Sequence, residues 1–217
     1  MDLSTNQAGV TPRLRAVVFD MDGTLTDSPL DFARIRAECG VPAGRPVLEH
    51  LAGLPEPERG RAEAVLAEHE RRAAAECVLR DGAREVIEGL RTRGLKTALL
   101  TRNSAESVRT VLARFALEFD CWLSREDAEP KPSPDAVLKI ARRFGMRPQE
   151  MLVVGDYVFD MQAGRAAGAR TAFVRNAKVL GLPAATGLPA ATGLPAEADF
   201  VISDLNELLD LVEEAVQ

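Results

Sequence analysis

The amino-acid sequence predicts a doubly wound α/β fold, a parallel sheet flanked by helices, with a small helical insert after the first strand. Three observations predict it: short apolar runs, helical patterns that alternate with them, and one Ala-, Glu- and Arg-rich stretch that breaks the alternation. A chain of 217 residues with 46% apolar content supports one large core and one small satellite.

Taken in order, Ala16–Phe19 is an apolar run ending in acidic residues and glycine, as a buried parallel strand does. The segment from Pro29 to Arg80 contains no convincing strand, and its longest part, Glu56–Cys77, has helical spacing. Helical patterns at Ala83–Arg93, Ala105–Phe115, Pro134–Phe144 and Asp160–Ala167 then alternate with strand runs at Thr97–Leu100, Met151–Val154 and Thr171–Val174. A run at Phe200–Ile202 and a helix over Asp204–Val216 finish the chain. Glycines 94, 145 and 168 fall just past three of the helices, where a left-handed residue closes the end. The expected division is a core of residues 1–28 and 81–217, with residues 29–80 inserted. Gly181–Pro195 reads GLPAATGLPAATGLP, a repeat of Gly, Pro and small residues that suits a flexible surface loop or a lid at a strand's carboxyl end.

A formal charge of −6 gives no broad positive field, which argues against nucleic acid and membrane partners. Cys39, Cys77 and Cys121 form no C-x-x-C pair and read as reduced, buried thiols. Residues 1–13 lack a secretory pattern and no apolar stretch is long enough to span a bilayer, so a cytoplasmic location is expected.

The chemistry is concentrated at strand ends. Asp20, Met21, Asp22 and Gly23 close the first run, and in extended backbone residues two apart point the same way, so both carboxylates can face one pocket. The same residues also suit an ordinary strand-ending turn. Asp156 and Asp160 follow another apolar run, where they also fit a helix start. If the two strands are neighbours, four carboxylates converge. Two unit charges about 4 Å apart repel by roughly 4 kcal/mol at an effective dielectric of 20, so such a cluster calls for a hard divalent cation or protons. Thr101 ends a strand, and Lys131 lies between two prolines in a chain whose only lysines are Lys96, Lys131, Lys139 and Lys178. A hydroxyl and a compact ammonium there can grip phosphoryl oxygens, although a helix cap and a solvated loop charge are the plainer roles.

The segments DMDGTLT, the strand ending in Thr101, PKPSPD and GDYVFD resemble, in order, the four motifs of the haloacid dehalogenase (HAD) superfamily, and the helical insert resembles its type 1 cap, as in phosphoglycolate phosphatase relatives. The resemblance implies the Rossmann-like HAD fold, with Asp20 as nucleophile and Asp22 as general acid and base. It implies Mg2+ held by Asp20, the backbone carbonyl of Asp22 and Asp156, with Asp160 in support or in contact. Thr101, Arg102, Asn103 and Lys131 would bind the transferring phosphate. Tyr157 stands where the family often has Ser. The implied activity is hydrolysis of a small phosphomonoester, a small phosphorylated metabolite, by a monomer or homodimer.

Other readings are a phosphosugar mutase and a non-catalytic binding protein. Mutase relatives carry a His shortly after the first motif, whereas this chain has no His before His50. Asp22 argues against dehalogenase chemistry, whose enzymes generally lack the second acid. Within the insert, Arg34, Arg36 and Arg45 are candidates to meet an anionic tail, and His50 and His69 read as exposed or structural.

Overall fold

The computed structural model describes residues 12–176 and 195–216. The first strand, β1 (Ala16–Phe19), is followed by a two-residue strand β2 (Thr26–Asp27) and three helices, α1 (Phe32–Glu38), α2 (Val47–Ala52) and α3 (Glu58–Glu76). After β3 (Val78–Leu79) the chain alternates: α4 (Ala83–Thr92), β4 (Lys96–Leu100), α5 (Ala105–Phe115), β5 (Cys121–Leu123), α6 (Asp135–Phe144), β6 (Met151–Gly155), α7 (Val158–Ala167) and β7 (Arg170–Val174). Strand β8 (Phe200–Ile202) and α8 (Glu207–Val216) end it.

Six strands form one parallel sheet in the order β5-β4-β1-β6-β7-β8. Strand β1 is central, with β4 on one side and β6 on the other, so the connections leave it in opposite directions. The crevice beyond the carboxyl ends of such strands is where open α/β sheets bind ligands.

Alternation of side chains builds the two faces. Val17, Phe19, Leu99 and Leu152 point to one side, where they meet Val86, Ile87 and Leu90 of α4, Val108 and Val111 of α5, and Leu208 and Val212 of α8. Ala16, Val18, Ala98 and Val153 point to the other, against Ala136, Val137 and Ile140 of α6 and Ala163 of α7. Full burial of each Val, Leu, Ile or Phe is worth about 1.5–3 kcal/mol, which makes these two layers the main source of stability.

Helices α1 to α3 have their own small core of Ile35, Cys39, Val41, Val47, Leu51, Ala62 and Leu66. The far end of α3 leaves that core, and Ala74 joins the main one. The segment expected to be free of strands holds β3, which pairs antiparallel with β2 through Thr26–Leu79 and Asp27–Val78. A two-residue ladder carries no periodicity, so nothing in the sequence announced it. Strand β5 was likewise unexpected, being three residues long with only Cys121 fully buried. The other strands agree with expectation to within one residue, whereas α7 and α8 begin two residues earlier and three residues later than the sequence pattern suggested. Gly145 and Gly168 close α6 and α7 in the left-handed region, and all three cysteines are free and buried. The GLPAAT repeat lies outside the described residues. Among them, no helix is long and apolar enough to cross a membrane.

Candidate active site

Three strands deliver the acidic and polar groups to one edge. Asp20 follows β1, and its backbone N–H donates to the carbonyl of Val154 in the neighbouring β6 (2.9 Å), so it advances level with the end of that strand. Asp156 follows β6 directly, Asp160 lies in the first turn of α7, and Thr101 follows β4 on the opposite side of β1.

Between Asp20 and β2 the chain makes a tight loop. The N–H groups of Leu25 and Thr26 both donate to the carbonyl of Met21 (2.9 Å each), and Gly23 N–H donates to the carbonyl of Thr26 (2.7 Å). Gly23 has φ of +84°, and a Cβ there would stand 2.0 Å from an oxygen of Asp156, so only glycine lets this loop pass the carboxylate. Gly155 is needed for the same reason on the other side, since a Cβ would meet Cγ of Asp160 at 2.2 Å.

Carboxylate oxygens of Asp20, Asp156 and Asp160 all lie within 4.8 Å of one another. Lys131, only 3% exposed, sits among them: Nζ donates to Asp20 and to Asp160 (2.5 Å each) and to the carbonyl of Leu100 (3.1 Å). The second oxygen of Asp160 accepts from the N–H of Tyr157 (3.1 Å), so one residue both caps α7 and anchors the lysine. Asp156 is held by the Asn176 amide (2.9 Å) and by the Thr24 hydroxyl (3.4 Å).

Burial dominates the electrostatics. It pushes the carboxyl of Asp20 well above the ordinary range; the lysine pulls it down, while Asp160 and Asp156 add to the rise. Asp156 is pushed up to about 7, again by burial first and then by Asp160. Burial opposes the charge on Lys131, but Asp160 and Asp20 outweigh it and hold the ammonium above its usual value. Three carboxylates facing one ammonium leave excess negative charge among hard oxygen donors, an environment that a small divalent cation fits.

Asp22 takes a different position from the one expected of a fourth converging carboxylate. Its side chain turns to the Asn103 amide and to the Thr26 hydroxyl (3.4 Å), and the cluster within 4.8 Å consists of the other three acids. The reason is local: the loop reverses after Met21, and two donors wait on the far side. Burial raises the Asp22 carboxyl, with hydrogen bonds from Asn103 and Thr26 working against the rise.

The remaining expected residues divide. Thr101 is buried at the end of β4, and its hydroxyl accepts from the N–H of Asn103 (3.2 Å). Arg102 points toward the helical insert, forming a two-point ion pair with Glu49 of α2 (2.9 and 2.7 Å) and donating to the carbonyl of Lys131. Its guanidinium lies 5.1 Å from the ring centroid of Phe159, which meets the Tyr157 ring edge-on. Arg34 pairs with Glu38 on the exposed side of α1. Asn176, Thr24, Glu49 and Arg80, whose side chain donates to the carbonyl of Gly23, were not foreseen. Asn176 was reachable by the logic of strand ends, because it stands two residues past β7 at the same edge.

The chain is similar to known hydrolases along most of its length. The haloacid dehalogenase-like hydrolase family matches residues 35–168, and a HAD-hydrolase-like family matches residues 129–208. A haloacid dehalogenase-like hydrolase domain-containing protein of Arabidopsis thaliana is 30% identical over 98% of this chain and 88% of its own length. The N-acetylmuramic acid 6-phosphate phosphatase of Pseudomonas putida is 31% identical over 75% of this chain and 83% of its own. The crystal structure of a hydrolase from Pseudomonas syringae superposes with a TM-score of 0.73 at 24% identity, covering 94% of this chain and all of that one, a likeness of fold. With its six-stranded parallel sheet, its acidic edge and these relatives, the chain belongs to the haloacid dehalogenase-like hydrolase family.

Proposed function

We propose that this hydrolase is a magnesium-dependent phosphatase that cleaves a small phosphomonoester through an aspartyl-phosphate on Asp20. The observation that carries the reading is the convergence of Asp20, Asp156 and Asp160 around Lys131 at the carboxyl edge of the sheet. The phosphatase similar to this chain in Pseudomonas putida supports the phosphoester class.

Asp20 and Asp156, with the backbone carbonyl of Asp22 and with Asp160 in support, would hold the magnesium. When bound, the ion would neutralise charge on the phosphoryl oxygens. In the first step an oxygen of Asp20 attacks phosphorus, the ester P–O bond breaks, and the leaving alkoxide takes the proton of neutral Asp22. Burial, which raises the Asp22 carboxyl, favours the protonated form this step requires. In the second step Asp22, now a carboxylate, takes a proton from water as the water oxygen attacks phosphorus. The bond to Asp20 then breaks, phosphate leaves, and both acids return to their starting states.

Asn103, through its amide contact to Asp22, orients the acid. Lys131 and Thr101 hold phosphoryl oxygens, and Lys131 keeps Asp20 directed at the pocket. Residues 29–80 act as a cap that excludes water and selects the alcohol portion. The substrate is a small phosphorylated metabolite and the protein works in the cytoplasm. The decisive assay is phosphate release from a panel of metabolite phosphomonoesters with magnesium. Release that disappears in Asp20→Asn is expected; no release from any member, or full activity in that variant, overturns the reading.

A further inference from the structure

We propose that Glu49, on helix α2 of the insert, is a positioning residue for Lys131 and acts through Arg102. The first link is the ion pair. Both terminal nitrogens of Arg102 meet both oxygens of Glu49, at 2.9 and 2.7 Å, in the planar fork geometry that fixes a guanidinium in orientation as well as place. The ring of Phe159 supports the guanidinium plane at 5.1 Å.

The second link runs from Arg102 to the backbone. Of the two nitrogens, the one that meets Glu49 at 2.9 Å also donates to the carbonyl of Lys131. Lys131 stands between Pro130 and Pro132, neither of which has an N–H, so the segment has few donors with which to fix itself. A turn bond from Ser133 N–H to the carbonyl of Pro130 (3.1 Å) closes the loop, and Arg102 is what holds the lysine's own peptide.

The third link is the side chain. With its carbonyl end fixed by Arg102, Lys131 reaches Asp20, Asp160 and Leu100 with its ammonium. Glu49 therefore controls the root from which the ammonium reaches the proposed nucleophile. It does so from a half-exposed position, 44% accessible, on the wall of a groove of about 300 Å³ that Arg45, His50 and Leu54 also line. A movement of α2 would reach Lys131 through two contacts. An ordinary surface ion pair would have no such consequence, being worth only about 0–1 kcal/mol and confined to its partners.

The kinetic arm of the test rests on the phosphatase reading; a labelling arm does not. Glu49→Gln, Glu49→Asp, Arg102→Gln and the Gln/Gln double variant are compared with the parent. Rates are measured on para-nitrophenyl phosphate with magnesium. The reactivity of Lys131 toward acetic anhydride is followed by peptide mass spectrometry, with Lys96, at the opposite end of β4, as internal reference.

Glu49→Gln is expected to lower kcat about two- to fivefold with KM little changed and to raise Lys131 labelling by a similar factor, the scale of a half-exposed pair. Arg102→Gln should lower kcat about tenfold or more, as misplaced catalytic groups do. Adding Glu49→Gln to Arg102→Gln should change neither readout further, and Glu49→Asp should recover most of both. Independent, multiplying effects of the two substitutions on kcat, or Lys131 labelling that stays at the parental level in both single variants, overturn the relay. If the parent releases no phosphate, the phosphatase reading fails and labelling alone decides the relay.

Discussion

The ammonium of Lys131 lies 2.5 Å from an oxygen of Asp20, and both groups are removed from solvent, the lysine side chain at 3% and the aspartate at 12% exposure. Because the same nitrogen also holds Asp160, replacing it strands two carboxylates in a low-dielectric pocket that contains a third. Breaking a buried pair by removing one partner costs about 3–5 kcal/mol. Lys131→Met is expected to lose that much in urea denaturation at pH 7 with chelator present. Lys139→Met is the control, since Lys139 meets Asp135 at 41% and 33% exposure and should lose no more than about 1 kcal/mol. Equal losses in the two variants would show that the lysine is not balancing the acidic cluster.

The two acids of the first loop should separate by chemistry while both variants fold. Asp20→Asn removes the carboxylate proposed as nucleophile and should abolish phosphate release. Asp22→Asn keeps one oxygen to accept from the Asn103 amide and turns its own NH2 to the Thr26 hydroxyl, which can accept, but offers no acidic proton. It is expected to lower kcat about 10²- to 10⁴-fold, the usual scale of general acid–base catalysis. Burst kinetics or trapping of phosphate on Asp20 in the Asp22 variant would separate the two steps. An Asp22→Asn enzyme with unchanged kcat would remove that residue from the mechanism.

How much of this was legible in the sequence depends on range. Strands β1, β4, β6 and β7 could be read because burial on both faces makes each a continuous apolar run, and Asp20, Thr101 and Asp156 could be placed because they end those runs. The pairing of β2 with β3 could not, since two residues leave no period to detect. Nor could the contact between Arg102 and Glu49, which joins positions 53 apart and depends on how α2 rests against the sheet edge. Asp22 illustrates the intermediate case. Strand alternation placed it beside Asp20, but the reversal at Gly23 and the donors of Asn103 and Thr26 decided where its carboxyl turns.

Gly23 offers a test of how tightly the loop is fitted. Alanine there must adopt φ near +84° and place a Cβ 2.0 Å from Asp156 and 2.9 Å from the Asn176 amide. The backbone conformation alone costs about 1–2 kcal/mol, and the clash displaces a proposed metal ligand besides. Gly23→Ala should lose stability by more than that amount and lose magnesium affinity measured by calorimetry. Gly94→Ala, at φ of +77° with nothing within 4 Å, should show the backbone cost alone and retain magnesium binding.

The acidic cluster also fixes the sign of the pH dependence of stability in chelator-treated protein. Asp156 titrates at about 7 in the fold, raised first by burial and then by Asp160, and Asp20 is raised well above its ordinary value. In the unfolded chain both titrate near about 3.9. Between those limits the folded state holds more protons, so stability falls as pH rises. For Asp156 this contribution is fully present below about pH 4 and lost on passing pH 7, a span that corresponds to roughly 4 kcal/mol as an upper bound. With chelator, Tm is therefore expected to be higher at pH 5 than at pH 8. Magnesium held by these carboxylates as proposed would compete with the same protons, so adding it is expected to raise Tm strongly at pH 8 and little at pH 5. A metal-free Tm that rises from pH 5 to pH 8, or a magnesium effect larger at pH 5, would mean that these carboxylates are not the groups that share the charge of the site.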